Sequence, residues 1–304
     1  MVKAQPIPGR RASGGPLGRF SWVFLFPALS VYFLFSILPF LYTIFYSFTD
    51  FTDVHVTGLG FEGLSNYAKV FQTPLLKAAM KNSVVYALTL HSIQILLALP
   101  LSVVLNMRLK TRNFLRAAFF FPAVFSALTV GYLWNYILSS SGYGLVNGLI
   151  TALGGRTFNF FTADRALFSV VMTQVWQWTG WAMVIFLANL QGIPGELYES
   201  ARVDGATGLN QFFGVTLPLM CPSVKIVAVT GLIGGMKVFD IIYSMTSGGP
   251  GNSTQTVMMA MMKKGISEGF YSTGAALGVV FFLIVLAISG LITRLFAMWR
   301  DAIS

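Results

Sequence analysis

Long apolar intervals without a charged residue set the organisation of this chain. No Asp, Glu, Lys or Arg occurs between Arg19 and Asp50, Lys81 and Arg108, Arg116 and Arg156, Arg165 and Glu196, or Glu268 and Arg294. A helix crossing the hydrocarbon core needs about 20 apolar residues, and each interval is long enough. A sixth apolar stretch, roughly Pro222 to Met245, carries Lys225 near its start and Lys237 and Asp240 towards its far end. The pattern predicts an all-α polytopic membrane protein with six transmembrane helices, at about 21–48, 82–106, 116–138, 167–190, 222–245 and 273–295. The first apolar block is too long for the hydrophobic region of a signal peptide and reads as an anchor. Pro27, Pro39, Pro100 and Pro122 fall inside or beside these spans, where neighbouring helices of a bundle can satisfy the freed carbonyls.

Composition agrees: 55% of residues are hydrophobic and 10% charged, with a mean hydropathy of +0.72, which excludes an ordinary soluble domain. A net charge of +10 would elsewhere suggest nucleic acid. Here the basic residues crowd between apolar blocks, so they orient the chain in a lipid bilayer and imply no nucleic acid partner. Twelve Lys and Arg fall in residues 1–21, 107–116, 191–225 and 294–304, against seven on the opposite side, which places both termini in the cytoplasm. The resulting layout is an N-terminal tail 1–20, a permease domain 21–298 with a cytoplasmic loop 191–221, and a C-terminal tail 299–304. Cys221, His55 and His91 are too few for a disulfide or a metal site.

Catalytic motifs are missing. Gly58 to Gly63 spells GxGxxG, but in a loop after a membrane helix rather than between a strand and a helix. No lysine follows a glycine, so no phosphate-binding GxxxxGK[ST] loop exists, and neither GxSxG nor HExxH occurs. No catalytic residue, metal ligand or cofactor site is expected in this chain. Gly231/Gly235 and Gly274/Gly278 have the small-xxx-small spacing of close helix contacts. His91 and Gln94, three apart, suit a hydrogen bond within the bundle better than a proton relay.

The loop 191–221 does not read as a passive linker. Pro194 suits a helix start, Leu197, Ala201 and Ala206 are apolar, Glu196, Glu199, Arg202 and Asp204 are polar, and Gly205 is placed to end the helix. Such a helix can pack beneath the bundle or dock on a partner, and composition leaves both open. Glu199-Ser200-Ala201, Gly205 after three residues, and Val215-Thr216-Leu217-Pro218 after nine more resemble the E-A-A-xxx-G-x9-I-x-L-P loop of the membrane subunits of bacterial ABC importers. Ser200 stands for Ala and Val215 for Ile. Residues Tyr198 to Ala206 and Thr246-Ser247-Gly248-Gly249-Pro250 are similar to the carbohydrate-uptake branch, which includes the larger maltose permease subunit.

The resemblance implies a mechanical role. The loop helix would dock into a cleft on a separate ATP-binding subunit, with Glu199 and Asp204 on its polar side and Ala201 and Gly205 small enough for close seating. Leu217 and Pro218 would end the loop and start the fifth membrane helix. ATP and Mg would be bound by the partner ATPase. The implied assembly has a second permease subunit, two ATP-binding subunits and an extracytoplasmic solute-binding protein, with a sugar as substrate and the bacterial or archaeal cytoplasmic membrane as location.

Lys237 and Asp240 are costly at mid-bilayer and should face the bundle interior or a water-filled cavity. At i,i+3 on one helix they would either pair or line a substrate path. The resemblance favours the path, with contacts around Gly235 to Asp240 and on the preceding helix. There, Trp176, Trp178 and Trp181 suit an interfacial belt, and Trp178 and Trp181 equally suit the apolar face of a sugar ring. Competing readings are an ion-coupled secondary transporter using Asp240 or His91, an intramembrane enzyme, and a permease of the same superfamily carrying a glycerol-phosphate type of substrate through Lys237.

Overall fold

The computed structural model describes residues 17–52, 59–141 and 143–303. Lys3, Arg10 and Arg11 of the N-terminal tail, and His55, Asp53 and Gly58, lie outside the described residues. Among those described the chain is helical, with a single isolated bridge, Thr49–Phe61, as its extended pairing. It divides into two compact units, Met1–Phe45 and Tyr46–Ser304.

The described residues of the first unit form one apolar helical run. α1 (Leu17–Tyr32) contains Pro27, passes through a π-helical stretch (Phe33–Ile37) and continues as α2 (Leu38–Ser47), whose last residues belong to the second unit. Thr43 Oγ1 donates to the Pro39 carbonyl at 2.9 Å, four residues back.

In the second unit, α3 (Ser65–Gln72) precedes α4 (Pro74–Asn106), a 33-residue helix. Pro74 sits at its first turn, where no donor is lost, and Thr73 before it is extended. Pro100 is absorbed within the helix. Arg116 Nη2 donates to the Leu105 carbonyl at 2.7 Å, satisfying an orphan group of the last turn. α4 packs most extensively against α8 (Ala166–Gln191), with α5 (Arg112–Phe120), α6 (Ala127–Ile137) and α7 (Leu145–Ala152) between them in sequence. Buried Asn147 on α7 staples the loop before α8: its Nδ2 donates to the Ser139 and Phe158 carbonyls, and its Oδ1 accepts from Phe158 N.

Then follow α9 (Gly195–Val203), α10 (Gly208–Gln211), a π-helical stretch (Phe212–Thr216), α11 (Leu217–Leu219) and α12 (Cys221–Met236). The chain closes with α13 (Asp240–Thr246), α14 (Val257–Met261), a third π-helical stretch (Met262–Ser267) and α15 (Tyr271–Ile303). Among the described residues, four helical runs are long and apolar enough to cross a membrane: Leu25–Ser47, Pro74–Asn106, Ala166–Gln191 and Tyr271–Trp299. Two bent pairs bring the number to six if each is one span.

Those two pairs correct the expectation of unbroken helices. The stretch expected to span 116–138 runs as α5 and a 3-10 turn (Phe121–Val124), then bends by 98° into α6. Pro122 lies in that turn, and just beyond it the Phe125 carbonyl accepts from Gln177 Nε2 of α8 at 2.9 Å. The stretch expected at 222–245 breaks after Met236, and its N-terminal partner, Gly208–Leu219, is bent by 60° against it. Gly234 and Gly235 give this end little helical preference. Lys237 caps α12, and Asp240 opens α13, so the two do not share one helical face.

Close backbone approaches hold the broken pieces. A Cβ on Gly180 of α8 would overlap the Phe119 carbonyl of α5, and one on Gly131 of α6 would overlap Ser244 of α13. Asn135 Nδ2 donates to the Met245 carbonyl at 2.6 Å. In the turn after α13, Ser247, Gly248 and Gly251 adopt positive φ, and Thr254 Oγ1 donates to the Gly249 carbonyl while bonded to Thr246 Oγ1. Asn82 of α4 donates to the Asn252 and Gln255 carbonyls, and Ser83 Oγ accepts from Val257 N, so this turn is pinned to α4.

Three substitutions test this packing by thermal unfolding of the detergent-solubilised protein. Gly180→Val forces α5 away from α8 and should cost about 1–3 kcal/mol or more, whereas Gly148→Ala, with open space around it, should not lower the unfolding temperature. Gln177→Leu leaves the Phe125 carbonyl without its donor and should cost about 1–3 kcal/mol; an unchanged transition would show that the bend does not depend on this bond.

Candidate functional site

A cavity of about 390 Å³ opens where α12 breaks. Its walls come from α4, α8, the end of α12 and the start of α13, with Ala127 at the first residue of α6. The five residues singled out for a substrate path, Trp178, Trp181, Gly235, Lys237 and Asp240, all line it.

Each wall has a local cause. Trp178 and Trp181, one turn apart on α8, face each other edge-on, with ring centroids 6.4 Å apart and planes at 85°. Trp176 points elsewhere and meets Trp134 of α6 at 5.4 Å, so the tryptophan cluster divides between the cavity and another face of the helix. On α12, Gly231, Gly234 and Gly235 put bare backbone on the wall. Lys237 N and Val238 N close the helix end on the Gly234 and Gly235 carbonyls. Thr256 Oγ1 donates to the Val238 carbonyl at 3.1 Å, so the interrupted segment is not left unsatisfied. Lys237 and Asp240 are both exposed to this space, and neither is in an ion pair among the described residues. Of the two readings left open, the structural pairing does not form; the helix break has separated the two charges.

Five polar residues of the cavity were not nominated from the sequence as substrate contacts: Tyr86, His91 and Gln94 of α4, Gln174 of α8 and Thr230 of α12. His91 Nδ1 and Gln94 Oε1 are 2.7 Å apart, as the spacing suggested, but the pair also faces the cavity. Gln94 Nε2 donates to the Trp178 carbonyl at 2.8 Å, and Gln174 Nε2 to Gln177 Oε1 at 2.7 Å. Polar amides inside otherwise apolar spans were the available signal; Tyr86 carried none.

The loop nominated for docking forms a separate feature. Pro194 precedes α9, and Gly205, at φ +80°, ends it: Gly205 N donates to the Arg202 carbonyl and Ala206 N to the Ala201 carbonyl, the Schellman pairing. Glu199, Asp204 and Gly205 are exposed, and Ala201, Leu217 and Pro218 are half-buried. Tyr198 OH and Thr216 Oγ1 lie 3.1 Å apart and tie α9 to the following helical run, and Gln211 Nε2 donates to the Ala206 carbonyl. Leu217 and Phe212 pack on a cluster built from Ala98, Leu99, Met183, Phe186, Met220 and Val224. Apolar Val203 is 88% exposed, and Leu209 and Phe213 of the following helical run are exposed as well, apolar area that the motif had not flagged.

Residues 17–300 match the family described as "Binding-protein-dependent transport system inner membrane component". The chain is 32% identical over 277 residues to the multiple sugar-binding transport system permease protein MsmF of Streptococcus mutans, covering 90% of this chain and 94% of that one. It is 32% identical over 289 residues to the trehalose/maltose transport system permease protein MalF of Thermococcus litoralis, covering 93% and 95%. Among solved structures, a chain of a bacterial alginate ABC transporter, in complex with an alginate pentasaccharide-bound periplasmic protein, superposes with a TM-score of 0.79 at 21% identity. That match covers 93% of this chain and 96% of the other, and shows a shared fold. The chain belongs to the binding-protein-dependent transport system inner membrane component family, the permease subunits of ABC importers.

Proposed function

We propose that this permease passes a sugar, of disaccharide or oligosaccharide size, from an extracytoplasmic binding protein into the cytoplasm. Two separate ATP-binding subunits, which hold ATP and Mg, drive it, and a second permease completes the path. The observation that carries the substrate class is the pair of tryptophans, Trp178 and Trp181, set edge-on in a cavity that also presents amide and charged groups. Flat apolar faces next to hydrogen-bonding groups suit a pyranose, which has apolar ring faces and a polar rim. Relatives whose names specify multiple sugars and trehalose or maltose support the same class. A glycerol-phosphate type of substrate is favoured less, because Asp240 shares the cavity with Lys237 and offsets its charge. Six spans, counting each bent pair as one, with both termini cytoplasmic, put α9 on the inner side where the ATPases lie.

α9 is the docking element. Glu199 and Asp204 supply polar contacts, Ala201 and Gly205 permit close seating, and Val203 supplies apolar area at the contact. Leu217 and Pro218 lead from the docking loop into α12. The Schellman closure and the Tyr198–Thr216 bond make the loop stiff, and a stiff element passes on a push that a linker would absorb. Coupling runs from the loop through Leu217 and Phe212 to the apolar cluster of α4, α8 and α12.

Gly205→Val places a branched side chain at φ +80° and a bulky group at the seat. It should abolish ATP-driven uptake into vesicles containing the whole transporter; uptake at the unmodified rate would remove α9 from the coupling route. Replacing Trp178 and Trp181 together by Ala should slow uptake on the order of tenfold while the ATPase subunits still co-purify. Unaltered uptake would assign the two rings to packing alone.

A further inference from the structure

α4 forms one wall of the cavity, and two of its polar atoms are left over by the fold. The Tyr86 hydroxyl, on a side chain with 0% exposure, and His91 Nε2 are buried without a hydrogen-bond partner among the described residues. Both residues line the cavity. Buried hydroxyls and ring nitrogens are normally satisfied, so two orphans beside one cavity call for a partner that enters from outside.

The neighbours of His91 fix its chemistry. Gln94 Nε2 donates to the Trp178 carbonyl, a group that only accepts, so the other end of the amide, Oε1, faces the imidazole. Nδ1 must then carry the proton, and the neutral ring bears its lone pair on Nε2. The ring is seated in the gap left by Gly231 and Gly235: a Cβ on Gly231 would overlap it, and one on Gly235 would press on Nε2. Nε2 itself has no hydrogen-bond partner among the described residues. α4 therefore offers an O–H donor at Tyr86 and a nitrogen acceptor at His91. A sugar hydroxyl is the group that both accepts and donates.

We propose that Tyr86 and His91 are cargo-contacting residues that read hydroxyl groups of the sugar, and that Gln94 is the positioning residue that holds His91 in the accepting tautomer. Both residues line the cavity with these two atoms shielded from solvent, so side-chain rotation as cargo enters would have to bring them into contact. α8 and α12 then supply the stacking and charged walls, and α4 the hydroxyl-reading wall. This assignment rests on the sugar-permease reading.

The test uses the complete transporter in proteoliposomes, with its partner permease, ATPases and binding protein, and four probes: maltose, trehalose, arabinotriose and N,N′-diacetylchitobiose. The unmodified transporter is run first. If it carries none of them, the sugar reading fails, and this assignment goes with it. For the sugar that is carried, Tyr86→Phe and His91→Phe, which keep the ring volumes, should each lower uptake per ATP hydrolysed by about three- to tenfold. Single deoxy analogues of that sugar supply the decisive readout. Removal of the matching hydroxyl should slow the unmodified transporter and cause no further loss in the variant that lacks its partner. Gln94→Leu should lower uptake alone but add nothing in the His91→Phe background. Unchanged uptake in both Phe variants, or deoxy penalties of full size in both, would overturn the proposal even with sugar transport intact.

Discussion

A backbone carbonyl inside the hydrocarbon layer must find a donor within the protein, and the way this chain meets that demand explains most of its architecture. Helical stretches are interrupted at the bend after α5 and at the end of α12, and carbonyls at or near these breaks are taken up by side-chain amides and hydroxyls from other elements. Gln177 serves Phe125, Asn135 serves Met245 and Thr256 serves Val238. Gln94 serves the carbonyl of Trp178 within an unbroken helix, and Asn82 serves the turn after α13. Each of these bonds joins elements distant in sequence. The polar residues scattered through the apolar spans are thus the ties between helices, and the breaks are placed where such ties exist. A cavity can open at Lys237–Phe239 because the irregular backbone there is already satisfied.

The long helix α4 is where these ties and the apolar packing converge. It contributes Leu76, Ala79 and Ala87 to one buried cluster, Tyr86 and Leu90 to a second, and Ala98, Leu99 and Leu105 to a third. The first reaches α15, the second α6 and α13, and the third α8, α12 and the helical run after α9. Glycines set how near the other helices come: Gly231 and Gly235 bring α12 against His91, and Gly180 brings α8 against α5. Contacts of this kind in a membrane depend on shape rather than water exclusion, since lipid solvates apolar side chains as well as a neighbouring helix does.

How far the sequence disclosed this depended on the kind of signal. Charge-free intervals revealed the long helices, because insertion into lipid penalises a charge wherever it falls. α9 was readable to within a few residues, at 194–206 against the observed Gly195–Val203, since Pro194 and Gly205 act through local backbone geometry. The interruptions were less legible. Pro100 and Pro122 look alike in sequence, yet α4 absorbs the first and the second marks a 98° bend; the difference lies in Gln177 and Gly180, far along the chain. For the same reason Lys237 and Asp240 looked like one helical face. The charge of the pair was legible, while the break between them depended on Gly234-Gly235 and on Thr256, which receives the loose carbonyl. Of the cavity, the α8 and α12 walls were foreseen and the α4 wall was not, because Tyr86 acquires its meaning only from what surrounds it.

The bare glycine surface of α12 has an evolutionary corollary. Positions 231, 234 and 235 form a wall with no side chains, and around Gly234 there is free space. Adding a methyl or hydroxymethyl group at that position would reshape the chamber without disturbing a single inter-helix bond. The docking loop would be untouched, since it reaches the bundle through Phe212 and Leu217. On the proposed reading of the chamber and of α9, drift at one codon would thus retune which molecule fits while the motor attachment stays constant, a separation that lets one inherited engine serve many diets.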